Sequence, residues 1–134
     1  MQENPQTEKS ILESISMGIG TWAWGDRLVW GFGNQYSDKD IRETFFSALE
    51  NGITFFDTAE VYGQGKSEKF LGQFIKTAKK EILVATKIMP YPWRLAKDAL
   101  RKALRGSLQR LGLPKVDLYQ VHWPMPPVSI ESWM

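Results

Sequence analysis

Four short strand-like runs, residues 16–20, 53–57, 82–87 and 116–122, alternate with three helical patterns, and their starts at Met17, Ile53, Ile82 and Val116 lie 36, 29 and 34 residues apart. Strands rich in Val, Ile and Phe, separated by helices of about 10–15 residues, build βαβ units and hence a parallel sheet. No repeat of sequence accompanies this rhythm, so the repetition is one of structure. Asp57, Lys87 and His122 end the last three runs, and Tyr62 follows Asp57 by five residues. In a repeated βα architecture the C-terminal strand ends are where an active site is assembled.

The helical patterns carry their own punctuation. Ser37, followed by Asp38 and Asp40, reads as an N-cap with an acidic first turn, ahead of an apolar side made of Ile41, Phe45, Ala48 and Leu49. Asn51-Gly52 ends that helix. A second helix is expected from Ser67, with Glu68 near its positive end and a stripe of Phe70, Leu71, Phe74, Ile75 and Ala78. The third, residues 95–111, turns Ala96, Ala99, Leu100, Ala103, Leu104, Leu108 and Leu111 inward. Lys97, Arg101, Lys102, Arg105 and Arg110 fall largely outside, and Gly112 is its C-cap with Pro114 just beyond. Residues 1–12 read as a polar lead-in to one domain over 13–134, and Ser129 as the N-cap of a fourth helix.

Bulk properties narrow the function. At 134 residues, 43% apolar and 13% aromatic, the chain has one domain's worth of core. A net charge of +2 gives no preference for polyanions, and the basic face of the third helix reads as a solvated outer layer rather than a nucleic-acid surface. The lack of cysteine excludes disulfides, thiolate metal ligands and a thiol nucleophile. With no export signal and no apolar run near ~18 residues, a cytoplasmic protein without membrane contact is expected.

Asp57 ends an apolar strand, and a carboxylate there is costly to desolvate without a cation. Lys87, at the end of the next strand, is the natural partner through a right-handed crossover. The plainer reading is an ion pair that only stabilises the sheet end. Tyr62, in a loop bounded by Gly63 and Gly65, is by itself an ordinary loop tyrosine; beside a lysine it becomes a candidate general acid, because an ammonium favours a phenolate. His122, the only histidine, reads either as a hydrogen-bonded core residue or as a donor to a substrate oxygen held by Tyr62. A metal site from Asp57, Glu60 and His122 lacks recognisable ligand spacing, so no metal is expected. Gly65-Lys66-Ser67 is not a phosphate loop, since Glu60 stands where the earlier glycine belongs. Residues 20–37 form a long loop with four Gly and three Trp residues, too aromatic for a linker. Trp22, Trp24, Trp30, Trp93 and Trp123 all follow strands, as the lining of a small-molecule pocket would.

Gly18-Ile19-Gly20-Thr21-Trp22, Phe56-Asp57-Thr58-Ala59-Glu60-Val61-Tyr62-Gly63, Ala85-Thr86-Lys87 and Gln120-Val121-His122-Trp123-Pro124 together resemble, in order and spacing, the N-terminal half of an aldo-keto reductase, over about residues 15 to 134. The resemblance implies an α/β fold, the N-terminal half of a (β/α)8 TIM barrel with four parallel strands and three intervening helices. It also implies reduction of an aldehyde or ketone with NADPH. Carried over, it makes Tyr62 the proton donor, Lys87 the group that eases loss of that proton, Asp57 the anion holding Lys87, and His122 the group that orients the carbonyl oxygen or helps relay the proton. Gly20, Thr21, Trp22 and Asp57 would border the cofactor, and Trp24, Trp93 and Trp123 the substrate.

A barrel of this kind takes about 250 residues, and the family's main cofactor grip belongs to the half beyond these four strands. Three readings follow: a carbonyl reductase present here as an incomplete barrel and inactive alone, a cofactor-binding or regulatory subunit without turnover, and a half-barrel that self-associates through its open edges.

Overall fold

In the computed structural model, residues 11–94 and 98–123 are described, with Pro126, Ser129 and Glu131. Four strands, β1 (Ile19–Gly20), β2 (Phe55–Asp57), β3 (Leu83–Ile88) and β4 (Leu118–Val121), form one parallel sheet in sequence order. Helices α1 (Asp38–Glu50), α2 (Lys66–Ile75) and α3 (Ala99–Leu111) fill the three connections. Each strand is shorter than its apolar run or shifted by a residue, because the parallel ladder forms only where both neighbours are in reach. Residues 11–12, expected in the polar lead-in, belong to a 3-10 turn, Ile11–Ser14. The expected start of the third helix over 95–97, and most of the fourth beyond Ser129, lie outside the described residues.

The core lies between the sheet and the helices. Phe45 of α1, Phe56 of β2 and Phe74 of α2 meet with ring centroids 4.8 and 5.5 Å from Phe45, and Ile41, Leu49, Leu71, Val84 and Leu111 close around them. The expected stripes of α1 and α2 supply most of this layer, although α2 ends at Ile75, before Ala78. The cap of α1 is a reciprocal one: the Ser37 backbone N–H donates to Asp40 Oδ2 at 2.8 Å, which holds the Asp40 carboxyl below its usual range.

One expectation is corrected. Arg110 does not simply face solvent; its Nε donates to Glu68 Oε2 at 2.5 Å, and its second guanidinium nitrogen to Ser107 Oγ at 3.1 Å. Glu68, expected merely to complement the positive end of α2, has no exposed side-chain surface and accepts the Thr86 hydroxyl at 2.6 Å. A buried carboxylate requires this full set of partners.

Helices α2 and α3 touch at Gly72, where a Cβ would stand 2.0 Å from the Leu111 carbonyl oxygen. Gly72→Ala must therefore push the two helices apart, and a loss of about 1–3 kcal/mol in chemical denaturation is expected. An unchanged midpoint would show that the contact yields freely.

Candidate active site

Register places the polar strand ends on one face. Asp57 pairs with Ala85, Lys87 lies two residues further along β3 and pairs with Gln120, and His122 follows Gln120 by two. Side chains alternate across a strand, so Asp57, Lys87, Gln120 and His122 all point to the same side. The ladder continues past the strands: the Thr58 N–H donates to the Ala85 carbonyl at 2.9 Å, and the His122 N–H to that of Ile88 at 3.0 Å.

The expected ion pair is present. Lys87 Nζ lies 2.7 Å from Asp57 Oδ2 and donates to the Thr58 carbonyl at 2.8 Å; the lysine side chain keeps 12% of its exposure and the aspartate 34%. Gln120, which the sequence did not single out, places its amide 3.4 Å from the other oxygen of Asp57. Its signal was its place at the head of the Gln120-Val121-His122-Trp123-Pro124 motif, two residues before His122.

Tyr62 is delivered to this cluster by a tight turn. Residues Tyr62–Gly65 form a kinked turn leading into α2, with Gly63 at φ +54°, Gln64 at +58° and Gly65 at +85°. At Gly63 the lack of a side chain is required twice over, since a Cβ there would come 2.9 Å from the backbone of Gly25. Beneath the turn, Ser67 Oγ lies 2.7 Å from Thr21 Oγ1 and 3.0 Å from Thr58 Oγ1, tying the ends of β1 and β2 to the first turn of α2. The Tyr62 hydroxyl then stands 3.5 Å from His122 Nε2, and Lys87 Nζ sits 5.1 Å from the centre of the Tyr62 ring. Phenol, imidazole and ammonium are thus gathered at one rim.

A cleft of about 360 Å3 opens beside them, lined by Trp22, Val61, Tyr62, Met89, Tyr91, His122 and Trp123. Trp22 stacks on Tyr62 with centroids 6.3 Å apart, and His122 on Trp123 at 5.8 Å. Trp22 and Trp123 therefore stand where a ligand would meet them. Trp24 does not: the turn that returns its N–H to the Thr21 carbonyl sends the ring into the core against Phe56 and Phe74. Trp93 is also outside the cleft, 74% exposed and stacked on Tyr91 at 4.6 Å. Thr21 is fully buried, its hydroxyl shared between the Asp57 carbonyl and Ser67, so its side chain presents nothing to a cofactor. Gly20 is exposed, with open space where a side chain would be. Among the described residues, no group of three His, Cys, Asp or Glu is placed to hold a metal, and no helix is long and apolar enough to cross a membrane.

Four parallel strands in sequence order with three connecting helices form a partial α/β barrel, and comparison with known proteins gives its family. The sequence profile of the aldo/keto reductase family matches residues 16–134, and the chain belongs to that family. It is 44% identical over 117 residues to the chloroplastic pyridoxal reductase of Arabidopsis thaliana, covering 80% of this chain and 32% of the relative. Its fold is similar to that of the thermostable aldo-keto reductase Tm1743, solved with the inhibitor epalrestat, at a TM-score of 0.75 and 32% identity, over 98% of this chain and 46% of that one. It is also similar to an aldo-keto reductase from Klebsiella pneumoniae solved with NADPH, at a TM-score of 0.64 and 29% identity, over 79% of this chain and 34% of that one. The chain spans about a third of the length of the curated relatives it matches.

His122 has a measurable signature. Burial, and then the Lys87 ammonium, push its pKa below the ordinary histidine value of 6.5, against a smaller opposing pull from Asp57 and Glu60. A folded-state value below the unfolded one means that the unfolded chain binds the proton more readily. The stability contribution is then complete above about pH 6.5 and declines as pH falls toward the folded value. Imidazole titration by NMR is expected to show a midpoint below 6.5, and His122→Gln to remove that part of the acid-side decline; a midpoint at or above 6.5 would contradict the assignment.

Proposed function

We propose that these four βα units carry the proton-transfer half of an NADPH-dependent carbonyl reductase, with an aldehyde or ketone as substrate and Tyr62 as proton donor. The observation that supports this best is the 3.5 Å approach of the Tyr62 hydroxyl to His122 Nε2 beside a Lys87 already neutralised by Asp57. Polar groups held in place ahead of reaction stabilise charge as it develops, without reorganising. A carbonyl oxygen in the cleft would accept from Tyr62 and be aligned by His122, which is uncharged near neutrality. Lys87 lies over the ring that must part with its proton, and Asp57 keeps that ammonium in place. The residues present fit the reactive end of a nicotinamide: Gly20 leaves room and the half-exposed Trp22 offers a flat ring beside Tyr62. NADPH, when bound, supplies the hydride to the carbonyl carbon.

The decisive variant is Tyr62→Phe in a complete barrel that carries this chain as its first four units. NADPH oxidation with a generic aldehyde should fall by at least ~10²-fold, as expected for loss of a general acid, while quenching of protein fluorescence by NADPH stays nearly unchanged. Equal turnover in the variant would remove Tyr62 from this role. The 134 residues alone should bind NADPH weakly or not at all, since they hold only the nicotinamide end of the site; a micromolar Kd by the same titration would contradict that.

A second reading is favoured by one observation. Every residue of β4, including Leu118 and Val121, is left half-buried, although a barrel strand is normally covered on both sides. We propose that isolated chains pair through their sheet edges, so that light scattering should give a mass above the 15.4 kDa of one chain; a stable monomer would exclude it.

A further inference from the structure

Glu60 lies between the strand end that holds Asp57 and the turn that presents Tyr62, yet its carboxylate is not among the groups lining the cleft. It faces the loop after β3 instead. Glu60 Oε1 accepts the Met89 backbone N–H at 2.6 Å, and Arg94 binds the same carboxylate through both guanidinium nitrogens, the second at 3.2 Å from Oε2. The first nitrogen returns to the Met89 carbonyl at 3.0 Å. Both backbone groups of Met89 are thus held by side chains from an ion pair, where the sheet ladder has ended. The Glu60 side chain keeps 9% of its exposure, so this fork–fork contact works where water screens it little.

The loop folds around that guanidinium. The Arg94 guanidinium carbon stands 5.2 Å from the centre of the Tyr91 ring, the Arg94 backbone N–H donates to the Tyr91 carbonyl at 2.9 Å, and Tyr91 stacks on the exposed Trp93. Met89 and Tyr91 are the two residues this loop gives to the cleft. Five of the seven lining residues carry an aromatic ring and none is an acid, lysine or arginine, which suits a flat, uncharged carbonyl compound.

We propose that the Glu60–Arg94 pair is a specificity-determining latch: it positions Met89 and Tyr91 as a cleft wall and so favours an aromatic aldehyde over a short aliphatic one. This rests on the carbonyl-reductase reading. Neither residue touches the reacting atoms; both act through the loop. Without the pair the loop loses its hold on Met89, a ring substrate loses its wall, and a small aldehyde held by Tyr62 and His122 loses little.

Amide hydrogen exchange and steady-state kinetics on one preparation of a complete barrel containing this chain test the latch. Arg94→Met is expected to speed exchange over residues 89–94 at least tenfold while amides of α1 and β2 keep their rates, and to raise KM for benzaldehyde about tenfold with kcat and the KM for propanal little changed. Glu60→Gln, which keeps the acceptor for Met89 but loses the charge, should fall between Arg94→Met and the unaltered protein. Unchanged exchange over 89–94 would overturn the latch, and equal changes for the two aldehydes would overturn its role in specificity. If the unaltered protein reduces neither aldehyde, the carbonyl-reductase reading fails and the assignment of specificity falls with it, while exchange still decides whether the pair holds the loop.

Discussion

A lysine ammonium with 12% of its side-chain exposure left needs a counter-charge within reach, and Lys87 finds it in Asp57. Much else at the rim follows from that pair. Asp57 and Lys87 meet only if β2 and β3 run parallel in their observed register, since a slip of one residue would send one of them to the opposite face of the sheet. Once they are paired, the Thr58 carbonyl joins Lys87, and the segment after β2 is drawn along the end of β3 before it turns at Tyr62.

The first turn of α2 provides the second anchor. Ser67 links to Thr21 and Thr58, while Glu68 takes the Thr86 hydroxyl and Arg110. One helix start therefore holds the ends of β1, β2 and β3 and the last turn of α3. Removing one partner from such a buried pair typically costs about 3–5 kcal/mol, much of it the penalty of leaving the other charge alone. With the glycine contact at Gly63 on one side and the Glu60 carboxylate on the other, Tyr62 is held by a frame whose parts come from every βα unit except the last strand.

The parallel sheet was legible because apolar runs alternate with capped helices, its barrel-like strand order only through the resemblance, and Asp57, Lys87 and His122 stood out because each ends such a run. Tyr62 was legible through its motif. Glu68 was read as a partner for the helix positive end because an acid in a first turn usually is one. Its place on one helical face with Leu71 and Ile75, three and seven residues on, was the missed signal of burial. Arg110 was hidden in the same way, among basic neighbours that do face outward. The tryptophans show the limit of composition: Trp22 and Trp24 are two residues apart in one loop, yet one turn of backbone puts the first beside Tyr62 and the second in the core. Thr21 likewise matched a cofactor-bordering segment, but its buried hydroxyl has two partners that only the folded chain brings to it.

The central claim is that Tyr62 and His122 share one carbonyl oxygen. A crystal structure of a complete barrel containing this chain, with NADP and an unreactive ketone bound, tests it most directly. The account predicts the ketone oxygen within about 2.6–3.2 Å of both the Tyr62 hydroxyl and His122 Nε2, with Lys87 still on Asp57. A ketone seated elsewhere, or bound with its oxygen turned away from Tyr62, would contradict it.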